Sequence, residues 1–404
     1  MSMKKFKYQN YKIIAAALLI FLISGFLIIS NDKEISEDLS WAERMALSIM
    51  KRNPESWQVD FRETPKWSYT HGLVLHGFTQ LYLKTGDEDY FNYVKDYADK
   101  LIDENGNIST YEIEVFNIDH INPGKVLFDV YEKTGDEKYL KALNKLRKQL
   151  EWQPRTKEGG FWHKLRYPWQ MWLDGLYMGA PFYAEYIQKF ENANDYNDVI
   201  DQFVIIENHV KDNTSGLLYH GWDESGVQRW ALPETGVSRN FWGRSVGWYA
   251  MALVDVLDYI PEDHPRRSIL INKLRNLVDA IIVYQDKDTG LWFQVLDQAG
   301  REGNYLEASA SVMFTYTIAK AANNGYIDKD KKEVAKKSFQ GVIDHFVKIG
   351  KKGEIHIEKV CAVAGLGGNP YRDGTFDYYI SEQVISNDPK ATGPFILACL
   401  ELEK

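Results

Sequence analysis

Apolar positions along this chain recur at three- and four-residue steps far more often than at two. WAERMALSIM (41–50), GLVLHGFTQLYLKTG (72–86), YFNYVKDYADKLI (90–102), GKVLFDVYEKTG (124–135), YLKALNKLRKQL (139–150), WYAMALVDVLDYI (248–260) and ASVMFTYTIAKAANNG (310–325) each carry an apolar helical stripe. Several end in Gly, a frequent helix stop. Period-two patterning is confined to LWFQVLD (291–297) and KGEIHIEKV (352–360), which predict small hairpins or loop strands. An internal echo adds a repeat: YLKTGDEDYFNYVKDYADKL (82–101) resembles YEKTGDEKYLKALNKLRKQL (131–150), 49 residues later (131 − 82). Each copy reads as a helix end, a Thr-Gly-Asp turn and a new helix capped by the Asp. At roughly 50–60 residues per hairpin, the roughly 370 residues after the N-terminal segment hold six or seven helix pairs. Six pairs closed in a ring make an (α/α)6 barrel, with short β elements in its loops; an open solenoid is the plainer alternative.

The N-terminus reads differently. Lys4, Lys5, Lys7 and Lys12 precede an uncharged apolar run from Ile13 to Ile29, the pattern of an export signal. Residues 1–30 are therefore expected to be a signal peptide or signal anchor, 31–40 a polar linker and 41–404 one barrel domain. The globular part is expected outside the cytoplasm, periplasmic or extracytoplasmic, anchored to the membrane if the segment is retained.

The formal net charge of −9 argues against a nucleic-acid partner, which needs a basic face. The 12 Trp, 25 Tyr and 19 Phe fit either a well-packed core or an aromatic-lined carbohydrate cleft. Two cysteines, Cys361 and Cys399, make no disulfide framework and no metal-type cluster; they are expected to be free and buried. His71 and His76 are five apart and do not share a helix face, so no metal is expected, and nothing in the sequence calls for a cofactor. GRSVG (243–247) matches the G-x-S-x-G nucleophile elbow, but a polar loop precedes it where that motif needs a buried strand. GLGGNP (365–370) lacks the Lys-Ser/Thr of a phosphate loop and reads as a tight-turning cleft loop.

The most informative residues are two acids in odd places. QMWLDGLYMGAPF (170–182) reads as a buried helix that begins near Pro168 and is ended or kinked by Pro181. Asp174 sits in its middle, although ionised carboxylates are almost never buried unpaired. Asp119, in FNIDHINPGKVLFDVY (116–131), precedes a helix starting near Pro123. Taken singly, each reads first as a helix cap or a satisfied core acid. Taken together at a barrel mouth, they suit acid–base chemistry on a sugar, with environment keeping one protonated.

Four blocks resemble, in order and spacing, the unsaturated rhamnogalacturonyl hydrolases of glycoside hydrolase family 105: FWHKLRYPWQMWLDGLYMGAPF (161–182), RNFWGRSVGWYAMALVDVLDYIP (239–261), EASASVMFTYTIAKA (307–321) and VAGLGGNPYRDGTFDYYISEQVISNDPKATGPFILA (363–398). The resemblance runs from about Trp41 to the C-terminus, and it implies the (α/α)6 barrel. It also implies removal of a terminal 4,5-unsaturated uronic acid from lyase-generated oligosaccharides by hydration of the C4=C5 double bond. Asp174 would be the catalytic acid and Asp119 the second active-site acid. Tyr69, Lys164, Trp172, His220, Arg244 and Trp248 match substrate-contacting positions. Such an acid must hold its proton near neutral pH, and apolar neighbours such as Trp172, Leu173 and Tyr177 disfavour the charged form. The parent polysaccharide stays open: rhamnogalacturonan is the default, while ulvan or arabinogalactan fragments would make the chain an unsaturated glucuronyl hydrolase. A two-carboxylate glycosidase on saturated glycosides and a non-catalytic carbohydrate-binding protein are the other readings.

Overall fold

The helical stripes close into a ring. A computed structural model describes residues 34–191 and 196–404. Among these, helices α1 (Trp41–Arg52), α2 (Tyr69–Thr85), α3 (Glu88–Leu101), α4 (Lys125–Thr134), α5 (Glu137–Trp152) and α6 (Leu173–Phe190) form the first half. Helices α7 (Tyr196–Val210), α8 (Gly243–Val256), α9 (Arg267–Val283), α10 (Ala308–Asn323), α11 (Lys332–Phe346), the short α12 (Phe376–Ser381) and α13 (Pro389–Leu402) complete it. The inner ring is α2, α4, α6, α8, α10 and α13, and it closes where α13 packs on α2. The outer helices α1, α3, α5, α7, α9 and α11 alternate with them. This is the expected (α/α)6 barrel.

Composition decides which helix goes where. Every residue of α8 is buried, as is nearly every residue of α10 and α13, so these have no polar face to offer water. The outer helices keep a polar side; α3 and α5 bury one stripe each. The two echo turns are built alike. Gly86 and Gly135 take left-handed backbone and end α2 and α4, while Asp87 and Asp136 accept from the backbone N–H of Asp89 and Lys138 to start the next helices. Seven of the 12 tryptophans (67, 172, 222, 230, 242, 248 and 292) are buried, so most of the aromatic surplus is core.

Connections differ sharply between the two ends. Inner-to-outer turns are short, residues 86–87 and 135–136 being two of them. Outer-to-inner connections are long: 53–68, 102–124, 153–172, 211–242, 284–307 and 347–388. The inner helices therefore all begin at the end of the barrel that carries the long loops.

Two expectations shift in detail. Gln170–Trp172 is not helical but forms β1, paired antiparallel with β2 (Gly221–Asp223), and α6 begins at Leu173. The helix then runs through Pro181 to Phe190, because burial along almost its whole length outweighs one missing ladder bond. KGEIHIEKV does supply a hairpin, β3 (Val347–Ile349) with β4 (Ile355–Ile357). LWFQVLD forms only isolated bridges, Phe293 to Leu306 and Trp242 to Val295. A last two-residue pair, β5 (Val360–Cys361) and β6 (Val384–Ile385), ties the 363–374 loop to the barrel.

Within the expected linker, Ile35 is buried and its N–H donates to the Lys352 carbonyl, while Ser40 and Glu43 form a capping box on α1. The apolar run 13–29 lies outside the described residues. Among the described residues no helix is long and apolar enough to cross a membrane. Cys361 and Cys399 are free and buried.

Candidate active site

The ends of the inner helices bring the sequence-chosen residues together. Tyr69 is the first residue of α2, Asp174 the second of α6 and Arg244 the second of α8. Asp119 lies in the single-turn segment Ile118–His120 that leads toward α4.

Backbone pairing fixes the two acids. The Ile118 N–H donates to the His163 carbonyl and residue 117 bridges to 164, which sets Asp119 beside His163 and Lys164. Lys164 donates to Asp119 Oδ2, and His163 Nε2 stands 3.3 Å from Oδ1. Burial opposes ionisation of Asp119, but Lys164 and then His163 outweigh it and hold the carboxyl below the usual carboxylate range. Burial pushes His163 down to about 4, so its ring is neutral. On the other acid, the β1–β2 ribbon continues into α6: the Leu173 N–H donates to the His220 carbonyl at 3.0 Å. That bond holds His220 against the first turn of the helix. Its Nε2 lies 3.1 Å from Asp174 Oδ2, without hydrogen-bond alignment, so both atoms face each other unpartnered. The other ring nitrogen, Nδ1, bonds the Tyr379 hydroxyl at 2.8 Å.

The two halves share one cleft. His163 feels the charge of both Asp119 and Asp174, and Tyr69 feels both Arg244 and Asp119. Gly175 permits the first closeness: a Cβ there would stand 3.0 Å from His163 Nδ1. Burial above all keeps the Tyr69 phenol protonated far beyond its ordinary range.

Arg244 is fully buried and donates to Ser309 Oγ and the Cys361 carbonyl. Burial works against its cation, yet Cys361, Glu307 and Asp388 raise it above the ordinary arginine value. Its acid is Glu307, reached through Ser309 rather than directly: Glu307 caps α10 and accepts from Ser309, Ala310 and Cys361.

The tryptophans serve as walls. Trp248 is 1% exposed and wedged between Tyr69 and Tyr177, at ring distances of 6.3 and 4.9 Å. Trp172 stacks on His163 at 4.5 Å and on Tyr167 at 5.1 Å. The apolar setting expected for Asp174 is therefore partial. Leu173 and Tyr177 are buried, but an imidazole faces the carboxylate and the Tyr177 ring carries the Lys125 ammonium.

Sequence reasoning missed His163, Tyr379 and Glu307. His163 stands next to Lys164 in a quoted block, and only that adjacency hinted at it; Tyr379 and Glu307 gave no local signal. Ser245 is no nucleophile here: it is buried in the first turn of α8 and donates to the Trp242 carbonyl. The GLGGNP loop is a tight turn, with Gly367 bridged to Arg372, whose guanidinium also donates to Tyr167.

The arrangement provides one carboxylate against an imidazole, one carboxylate held ionised by an ammonium, and a buried guanidinium. Such a set can donate and accept protons beside buried positive charge. The Glycosyl Hydrolase Family 88 model matches residues 41–404. A family 105 glycoside hydrolase from C. acetobutylicum ATCC 824 is 46% identical, with a TM-score of 0.87 over 90% of this chain and 99% of that one. Protein Atu3128 of Agrobacterium fabrum is 40% identical over 230 residues, 55% of this chain and 97% of that protein. The unsaturated rhamnogalacturonyl hydrolase YesR of Bacillus subtilis is 28% identical over 269 residues, 65% of this chain and 71% of that enzyme. By family model, barrel and relatives, the chain belongs to the unsaturated glycuronyl and rhamnogalacturonyl hydrolases of the related glycoside hydrolase families 88 and 105.

Proposed function

We propose that this enzyme removes the terminal 4,5-unsaturated uronic acid from lyase-generated oligosaccharides, rhamnogalacturonan fragments first among them. The observation that carries the reading is Asp174 Oδ2 facing His220 Nε2 at 3.1 Å, both unpartnered, in the cleft shared with a cation-held Asp119. Asp174 gives its proton to C4 of the enol ether, and positive charge develops at C5 and the ring oxygen. Water adds to C5 while Asp174 takes back a proton. The resulting hemiketal opens by breaking the bond between C5 and the ring oxygen, and the hemiacetal left at C1 releases the neighbouring sugar. Asp119 orients the water or a substrate hydroxyl as an ionised acceptor. Arg244 and Lys164 supply positive charge for the uronate, assisted by the converging N-termini of the inner helices. Tyr69, Trp172 and Trp248 shape the sugar site.

The test follows the absorbance of the conjugated double bond. Lyase-treated rhamnogalacturonan oligosaccharides are expected to lose it with the wild-type enzyme, and Asp174→Asn to abolish turnover while remaining folded. Persistence of the double bond with every unsaturated uronide offered, or full activity of Asp174→Asn, would defeat the reading. Export by the N-terminal segment completes the proposal and is tested by fractionating cells for the full-length chain.

A further inference from the structure

The 4,5-unsaturated uronate is a chain end: its C4 is part of the double bond and bears no sugar. On the reading above, the rest of the substrate extends in one direction only, on the leaving side. A groove of about 570 Å³ opens beside Asp119, lined by Lys66, Glu114, His120, Lys164, Leu165 and Arg166 among others. That is well within the roughly 300–1,000 Å³ of small-molecule sites. Lys164 belongs to both places, since it lines the groove and its ammonium holds Asp119.

The charge in this groove is unlike that of the chain as a whole. Lys66 and Arg166 form no ion pair among the described residues. The Arg166 guanidinium rests over the Tyr167 ring at 4.9 Å. Lys66, Lys164 and Arg166 line the groove together with His120, whose imidazole feels Asp119 first and then the three cations. His120 Nδ1 is buried there without a partner. Glu114 is the single acid lining the groove.

We propose that this groove is a leaving-side subsite for a second anionic group, with Lys66 and Arg166 as its specificity-determining residues. A carboxylate on the next uronate along an alternating chain and a sulfate ester on the neighbouring sugar share the required chemistry. The groove makes the enzyme discriminate by what the leaving fragment carries, beyond the unsaturated end that every substrate shares.

Three substrates test this: the unsaturated uronyl-rhamnose disaccharide, the same disaccharide sulfated on rhamnose, and the unsaturated tetrasaccharide with a second galacturonate. Wild-type kcat/KM is expected to be about tenfold higher for an anionic leaving fragment than for the neutral disaccharide, with the gap shrinking in high salt. Lys66→Ala and Arg166→Ala, both at exposed positions, are each expected to narrow that ratio severalfold. A gain confined to the tetrasaccharide identifies the carboxylate, and one confined to the sulfated disaccharide identifies the ester. Equal kcat/KM for all three, or a ratio untouched in both variants, overturns the subsite while leaving the proposed activity standing. If no substrate is turned over, the proposed activity fails. Calorimetric binding of the same three sugars to Asp174→Asn then decides the groove: tighter binding of an anionic one, lost in Lys66→Ala, supports it, and equal binding overturns it.

Discussion

Removing the Tyr379 hydroxyl probes how His220 is held. The hydroxyl bonds His220 Nδ1 at 2.8 Å, and the imidazole has no exposed surface. If the phenol donates, Nε2 carries the ring proton and presents it to Asp174; if Nδ1 donates, Nε2 presents a lone pair to a protonated Asp174. Either way the hydroxyl fixes the tautomer and the plane of the ring. In Tyr379→Phe the ring stays in place, because it stacks on Trp242 at 5.8 Å and the backbone carbonyl of residue 379 still accepts from Gln294. The variant thus deletes one buried hydrogen bond and leaves Nδ1 unsatisfied, at a cost of about 1–3 kcal/mol in stability. With the tautomer unfixed, the barrier is expected to rise by about 1.4 kcal/mol, tenfold in kcat, with KM nearly unchanged. The assay is double-bond absorbance against substrate concentration, alongside urea unfolding and circular dichroism. A variant that loses the stability but keeps full kcat would refute the positioning role; a change in KM alone would move Tyr379 to the binding side.

Three further outcomes follow from the same cleft. Lys164→Met removes the leading cation that holds Asp119 ionised, so burial then dominates and the acid limb of the kcat/KM–pH profile should move to higher pH; an unmoved limb would sever Asp119 from catalysis. Gly175→Ala puts a methyl 3.0 Å from His163 Nδ1, and kcat should fall severalfold while stability changes by no more than about 1 kcal/mol, since Ala favours the helix; unchanged kcat would free the site from His163 placement. Acid should destabilise the fold between pH 6.5 and about 4. Burial holds His71, His120 and His163 at about 4 and His76 at about 3, so in that window the unfolded chain binds protons at four histidines that the folded chain refuses. Each of these histidines weakens folding by about 1.4 kcal/mol per pH unit; Glu185, raised by burial to about 8, and Asp129, raised to about 6, pull the other way but are outnumbered, and Asp119, with its lowered value, loses its contribution only below that window. Denaturation midpoints equal at pH 6.5 and 4.5 would contradict this.

Much of the fold was legible because helices announce themselves locally. The Gly-Asp turns at 86–87 and 135–136 read in the sequence as they stand in the structure, and the hairpin count follows from their spacing. The boundary at Gln170–Trp172 was not legible: three buried residues before a helix fit either state, and their pairing with Gly221–Asp223, some 50 residues away, decides for strand. Asp174 stood out because a carboxylate in an apolar run is chemically odd. Its partner His220 entered only through family resemblance, and Tyr379 not at all, since its role arises where α12 docks against the barrel. Non-local contacts of that kind leave no periodic trace. The same holds for Arg244, whose counter-charge reaches it through Ser309 from another helix.

An acidic protein with an acidic sugar as its proposed substrate presents an electrostatic question, and the barrel's polarity answers it. A net charge of −9 is a property of the whole surface, and at physiological salt such charge is screened beyond about 8 Å. Inside the cleft the local balance governs. The inner helices start there, each adding partial positive charge at its N-terminus. Arg244 is buried with its counter-charge displaced behind Ser309, and Lys164 stands over Asp119. The connectivity makes this placement automatic: long loops fall at the inner-helix N-termini, so the segments free to carry site residues also lie where backbone dipoles favour an anion. Asp174 and Asp119 occupy that end differently: Asp119 is paired with the Lys164 ammonium, whereas Asp174 faces the His220 imidazole at 3.1 Å without a hydrogen bond. At the opposite end the inner helices present their C-termini, and the connections there, residues 86–87 and 135–136 among them, are shorter than those that carry the site.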